Sequence, residues 1–159
     1  MTERFKGHIA TIGFVEKDGR VLVVRERVPH NDPNAQVVLS QPGGHVEPVE
    51  MFSEAIVREV MEETGYKIKP LDLVGIYQFV YQDKSTNLTA YRCELLDDTQ
   101  YEIEAPEVVE ALWLTEEEIM ARTEEHRSKN TTKRFKDYFA GKRLPMETLT
   151  EVDHRKLAN

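Results

Sequence analysis

Between Pro42 and Tyr66 the chain reads PGGHVEPVEMFSEAIVREVMEETGY and gathers Glu47, Glu50, Glu54, Glu59, Glu62 and Glu63 around one cation, Arg58. The second half of this stretch has helical periodicity from about Phe52 to Thr64, and Gly65 follows as a C-terminal stop. At about 100° per residue, Ile56, Val57, Val60 and Met61 fall on one arc of roughly 140°, the stripe expected to face a core. Glu59, Glu62 and Glu63 fall on an adjoining arc of about 100°, together with Phe52 and Ala55. The three carboxylates therefore point one way. Like charges three or four positions apart cost an isolated helix about 0.2–0.5 kcal/mol per pair, and Glu59 has that spacing to both Glu62 and Glu63. The wheel puts Arg58 on the far side of Glu62, near Glu54. One arginine cannot balance three carboxylates. A solvated acidic face is one reading, because charge runs are usually surface features. A hard divalent cation is the other, since Mg²⁺ takes oxygen ligands and is shared between carboxylates and substrate phosphates. No histidine or cysteine joins the cluster, which argues against zinc.

The helix sits among strands. Residues 7–16 and 20–26 are rich in β-formers and are separated by Lys17-Asp18-Gly19, which holds the Asp-Gly hairpin signal. Residues 28–36 read as a loop, Val37–Ser40 as a short strand and Pro42-Gly43-Gly44 as a turn. Leu71–Tyr81 and Leu88–Leu96 read as long strands with a turn over residues 83–87 between them. Residues 97–106 read as a loop and Val108–Leu114 as a further strand. Thr115 and Glu118 make a capping box for a helix over Glu116–Arg122. A last helix covers about Thr131–Ala140. This order predicts an α+β chain with helices packed on a sheet, in a single domain over residues 1–159 with its C-terminal helices at about 115–141.

The chain has 159 residues, a formal net charge of −8 and a single cysteine, Cys93. No disulfide framework is possible. Extended contact with DNA or RNA is disfavoured, because such proteins carry a basic footprint. An acidic protein that handles a phosphate ester needs a cation between its carboxylates and the substrate. No apolar run approaches the roughly 18 residues that span a bilayer, and Met1–Lys6 has no apolar leader. The expectation is a cytoplasmic protein, monomeric or homodimeric, with a small-molecule partner.

The spacing Gly44, Glu50, Arg58-Glu59-Val60, Glu62-Glu63, Gly65-Tyr66 resembles the Nudix box, G-x5-E-x7-R-E-U-x-E-E-x-G-U, with U aliphatic. Every fixed position matches, and the one departure is Tyr66 at the last U. The flanking strands, the Gly-Gly pair and the strand carrying Trp113 extend the resemblance over about residues 7–122. The resemblance implies a Nudix-like α/β/α sandwich with a mixed sheet. It implies Mg²⁺, with Mn²⁺ as substitute, held by Glu59, Glu62 and Glu63 and by the carbonyl of Gly43 or Gly44. Glu50 and Arg58 match a structural ion pair that orients those ligands. Glu62 or Glu107 is the candidate general base. Glu107 is preferred to Glu110, since the two point to opposite faces of a strand. Arg25, Arg27 and Arg92 are candidates for contacting substrate phosphate, and Glu47 for touching substrate or, through water, a second metal. Tyr77, Phe79 and Tyr81 share one strand face, as core or as a stacking wall. The last helix holds Lys129, Lys133, Arg134 and Lys136, and its lysines read as a solvated face rather than as a site for acidic substrate.

The resemblance implies hydrolysis of a diphosphate linkage in a nucleoside di- or triphosphate, or in a nucleoside diphosphate linked to another group. The segments Gln41–Glu47 and Arg143–Glu147 are similar to NudJ-type phosphatases, which adds thiamine or pyrimidine-precursor diphosphates as substrates. A non-catalytic ligand sensor on the same fold is the alternative, as is a diphosphate isomerase, for which Cys93 is the one cysteine. Substrate choice is assigned to the loops 28–36, 82–87 and 97–106.

Overall fold

A computed structural model describes residues 7–82 and 84–155. Met1–Lys6, read above as lacking a leader, lies outside the described residues. The strands are β1 (His8–Lys17), β2 (Arg20–Val28), β3 (Gln36–Ser40), β4 (Gly43–His45), β5 (Ile68–Tyr81), β6 (Lys84–Leu95) and β7 (Val108–Leu114). The helices are α1 (Phe52–Thr64), α2 (Glu116–Met120) and α3 (Lys129–Phe139). The β1–β2 hairpin turns on Asp18 and Gly19, both at positive φ (51° and 71°), the geometry whose twist matches paired strands. The sheet runs β3-β2-β1-β6-β5, with β4 on β1 and β7 on β2. The β1–β6 pair is parallel and the other pairs are antiparallel, so the sheet is mixed.

Helices cover both faces. One cluster packs Ile56 and Val60 of α1 against Val15, Leu22, Leu73, Tyr91 and Cys93. The other packs Phe135 and Tyr138 of α3 against Ala10, Ile12, Phe14 and Ala90. Phe14 stacks flat on Tyr138 at 4.4 Å between ring centroids. This is the α/β/α sandwich the resemblance implied. Among the described residues no helix is long and apolar enough to cross a membrane.

Several elements differ from the sequence reading. Gly43–His45 is not a free turn but pairs with Ala10–Ile12, since a three-residue strand is too short to show a period. Residues 84–87 are strand, because the β5–β6 hairpin pairs to its tip at Tyr81 and Lys84; backbone bonding there overrides polar composition, and of the expected turn Asp83 lies outside the described residues. α3 starts at Lys129 because Ser128, not a later residue, caps it by accepting from the Thr131 N–H. α2 stops at Met120 and a 3₁₀ turn follows at Thr123–Glu125. Its Thr115–Glu118 capping box has both hydrogen bonds in place.

The wheel of α1 is turned from its expected setting. Val57 is exposed, whereas Ala55, Glu63 and Thr64 are buried with Ile56 and Val60. The rotation lays the acidic arc against β4. The loop 97–106 serves the C-terminal end of α1, where helix carbonyls lack partners. Tyr101 N–H donates to the Gly65 carbonyl, and Glu104 and Ala105 N–H donate to that of Glu62. A Cβ at Gly65 would lie 2.1 Å from the Tyr101 carbonyl oxygen, so glycine is needed for both its φ of 72° and this approach.

His126 ties α3 to α2. Its Nε2–H donates to the Ile119 carbonyl and Nδ1 meets the Thr132 hydroxyl. Burial lowers its pKa from 6.5, so the unfolded chain binds its proton more readily. The resulting stability is complete above pH ~6.5 and is lost as pH falls towards the folded value. Urea unfolding at pH 7.5 and 5.5 should show a steeper loss on acidification in the wild type than in His126→Asn. Equal slopes would remove this linkage.

Candidate active site

Two glycines clasp the acidic helix to the sheet. Gly43 N–H donates to Glu63 Oε2 at 2.8 Å. Gly43 has φ +149°, and a Cβ there would lie 2.1 Å from the Thr11 carbonyl oxygen and 2.6 Å from Ile12 Cα. A Cβ on Gly44 would lie 2.6 Å from the Glu59 carboxylate. Only glycine allows β4 this close to both β1 and the carboxylates. Glu63 is 5% exposed. Burial pushes its carboxyl well above the usual range, and Glu26, Glu59 and Glu107 push the same way against the Gly43 N–H. Burial also raises Glu59, despite Arg58 beside it.

Arg58 is placed differently from the wheel reading. It donates to Glu50 at 2.7 and 2.9 Å, to Glu59 at 2.8 Å, to Glu62 at 3.2 Å and to the His45 carbonyl. Its long side chain crosses the acidic arc instead of turning to Glu54, which pairs with Arg155 at 2.7 Å. Arg58 holds Glu50 below the usual carboxylate range. Among the described residues, no three carboxylate, histidine or cysteine side chains gather about one point as metal ligands in this conformation. Arg58 draws Glu59 and Glu62 to itself while Gly43 holds Glu63. The donor set still fits a hard cation: all its atoms are oxygen, and three further carboxylates raise the pKa of the buried Glu63.

Glu107 and Glu110 separate, but not by strand alternation, since Glu107 lies in the turn before β7 (Val108–Leu114). Glu110 pairs with Arg25 at 2.5 Å, while Glu107 faces His30 Nδ1 at 3.9 Å and acts on Glu63. Glu26 is buried between Arg127, at 3.1 Å, and His30 Nε2, at 3.1 Å. Arg27 meets Glu107 through its backbone N–H, Glu47 is exposed with its N–H on Glu50, and Arg92 is held by Asp72. None of Arg25, Arg27, Glu47 and Arg92 lines the cavity that borders Gly43, Gly44 and His45.

On the opposite face of the sheet, bordered by Gly43, Gly44 and His45, is a cavity of about 300 Å³. Ala10, Ile12, Leu88 and Phe79 give it apolar surface, and Gln41, Arg127, Ser128, Asn130, Thr131 and Arg134 give it polar surface. Burial lowers the His45 pKa. The model of the NUDIX domain matches residues 6–135. The chain belongs to the NUDIX family. It is 29% identical over 150 residues to phosphatase NudJ of Escherichia coli K12, covering 94% of each chain. It is also similar to the solved NUDIX hydrolase of Nitrosomonas europaea, with a TM-score of 0.80 and 29% identity over 92% of this chain and 98% of that one. The MutT protein of Methanosarcina mazei Go1 shares the fold, with a TM-score of 0.67 and 23% identity over 87% and 96% of the two chains. This NUDIX chain is an enzyme of the pyrophosphohydrolase class.

Glu59, Glu62 and Glu63 lie in the C-terminal half of α1, with Gly43 on Glu63, Glu107 raising its pKa, and Glu50 held on Arg58. Tyr66, the departure from the box, packs edge-on to Trp113 at 5.4 Å and accepts a hydrogen bond from its Nε1 at 3.2 Å; an aromatic pair replaces the aliphatic contact. Sequence reasoning missed Glu26, His30, Gln41, Arg127 and Arg134. Glu26 sits among β-formers, where period-two reading gives no sign of a buried acid. Arg134 sits beside Lys133 in a helix whose lysines read as solvated, and it is 6% exposed. Of the loops 28–36, 82–87 and 97–106, only 82–87 contributes to the cavity, through Thr86, which is part of β6. Of the aromatic row, Phe79 lines the cavity, Tyr77 donates to Asp137 and Tyr81 is exposed.

Proposed function

We propose that this NUDIX protein hydrolyses the diphosphate linkage of a nucleoside di- or triphosphate, or of a nucleoside diphosphate joined to another group, with Mg²⁺ as its cofactor and Mn²⁺ as a substitute. The observation that carries this reading is Glu63, a buried carboxylate that accepts from the Gly43 N–H, is pushed up further by Glu26, Glu59 and Glu107, and has no cationic partner among the described residues. Buried charges are otherwise paired. Glu59, Glu62, Glu63 and the Gly43 carbonyl are the groups that would hold the metal. When bound, Mg²⁺ neutralises the diphosphate and lowers the pKa of water. Arg58, fixed by Glu50, sets the positions of Glu59 and Glu62, and proper orientation of ligands by such partners is typically worth 10–100-fold in activity. Glu62 or Glu107 accepts the proton of the attacking water. The cavity beyond Gly44 receives the part of the substrate that carries no phosphate, since it combines apolar walls with a few polar groups.

The 29% identity to phosphatase NudJ over 94% of the chain supports a phosphatase of the NudJ type, which removes a single phosphate from nucleotides or from diphosphates of thiamine and its pyrimidine precursor. The test is product release from nucleoside tri- and diphosphates, ADP-ribose, dinucleoside polyphosphates and thiamine diphosphate, read with and without added pyrophosphatase. Phosphate that appears without pyrophosphatase is the expected result. Phosphate that appears only after pyrophosphatase would replace the phosphatase reading with release of pyrophosphate.

A further inference from the structure

Arg134 has three properties that do not belong to a solvated helix face. It is 6% exposed. It has no carboxylate partner among the described residues, although the protein as a whole is acidic. Its hydrogen bonds go to neutral groups only: Nε and Nη2 donate to Gln41 Oε1 at 3.3 and 3.2 Å, and Nη2 donates to Thr131 Oγ1 at 3.2 Å. The other nitrogen, Nη1, donates to no described residue. Buried arginine is costly without an anion or a full set of acceptors. Burial lowers its pKa to about 10, so it remains charged at neutral pH.

Its surroundings define what it awaits. Gln41 is itself locked, because its Nε2 donates to the Thr131 carbonyl; this leaves Oε1 to hold the guanidinium. Phe79 stands 5.7 Å from the guanidinium carbon. Ala10, Ile12 and Leu88 complete an apolar wall in the same cavity. Among the described residues no carboxylate lines it, so none of them competes for the free nitrogen. Arg127, the other cation of the cavity, is already held by Glu26, and the apolar wall offers the oxygens of a bare phosphate no donor. A flat ring that lies on Phe79 and presents one oxygen suits both the wall and the free nitrogen.

We infer that Arg134 is a specificity-determining residue, which donates through Nη1 to a ring carbonyl oxygen of the substrate and so selects oxo-bearing bases over their amino counterparts. The inference deepens the hydrolase reading and rests on it for its kinetic test. An amino group in place of the carbonyl would point a donor at a cation. A hydrogen bond to a charged group is worth about 1.5–3 kcal/mol, or roughly 10–150-fold. A site built to bond a substrate group also rejects the analogue that lacks it.

The test compares kcat/KM for inosine against adenosine diphosphate and uridine against cytidine diphosphate, pairs that differ by oxo and amino at one ring position. The wild type should favour the oxo member of at least one pair by about 10-fold or more. Arg134→Met should bring that ratio near one, and Arg134→Lys should retain part of it. Hydrolysis without preference in either pair, or a preference that Arg134→Met keeps, overturns the role of Arg134 and leaves the hydrolase reading standing. If no compound is hydrolysed, the hydrolase reading fails instead, and equilibrium binding of the four nucleoside monophosphates to the wild type and Arg134→Met reads the same preference without turnover. Equal affinities there would overturn the inference.

Discussion

Glu63→Gln should lower turnover by about 100-fold or more while the protein folds as before. Loss of a partner that only orients a metal ligand typically costs 10–100-fold, and Glu63 is assigned as a ligand itself. The fold should not suffer, because glutamine keeps an oxygen for the Gly43 N–H and removes a charge that burial and three neighbouring carboxylates disfavour. Melting in EDTA should therefore be equal to or above the wild type. Added Mg²⁺ should separate the two proteins. Ligand at 100 times its Kd stabilises a fold by about 2.7 kcal/mol, which for a chain of this size is roughly 5–10 °C. The wild type should show such a rise and Glu63→Gln little of it. Retained turnover in the variant, or a melting temperature far below the wild type in EDTA, would remove Glu63 from the proposed centre.

Gly43→Ala should harm stability and activity together. The added methyl would sit 2.1 Å from the Thr11 carbonyl oxygen, a backbone atom that cannot swing aside, at a φ of +149°. Backbone held in such a sparsely populated region costs on the order of 1–3 kcal/mol for a residue with a side chain, and displacement of β4 from β1 adds to it. A total of about 3 kcal/mol corresponds to a fall of roughly 6–12 °C in melting temperature. The same shift moves the Gly43 N–H off Glu63, so turnover should fall in the fraction that remains folded. Gly44→Ala is the informative contrast. Its clash is with the Glu59 carboxylate, a side chain that can turn, so activity should drop with a smaller loss of stability. A Gly43→Ala protein as stable as the wild type would show that β4 has room the geometry denies.

Much of this was legible in the sequence because it rests on local pattern. The hairpin at Asp18-Gly19, the α1 stop at Gly65 and the Thr115–Glu118 box each depend on residues within one turn, and each formed where expected. The spacing of Glu50, Arg58, Glu59, Glu62 and Glu63 announced an acidic centre before any coordinates. What the sequence hid depends on contacts distant along the chain. Arg134 and Gln41 are 93 positions apart, and Arg127 and Glu26 are 101 apart. Neither pair leaves a periodic trace. The rotation of α1 that buries Glu63 was hidden for the same reason, since the helix alone offers Val57 and Met61 as equally good core residues. Strand β4 was invisible because Gly43-Gly44-His45 has no β-forming side chains and is held by β1 through its backbone.

The central claim is that a divalent cation held by the α1 carboxylates enables cleavage of a diphosphate. The most direct measurement is the steady-state rate on the best substrate of the panel as free Mg²⁺ is raised from an EDTA-buffered zero. Turnover should be absent in EDTA, rise saturably with Mg²⁺ and return with Mn²⁺, as cation-dependent cleavage requires. A rate in EDTA equal to that in Mg²⁺, or no hydrolysis of any panel compound at saturating Mg²⁺, would contradict it.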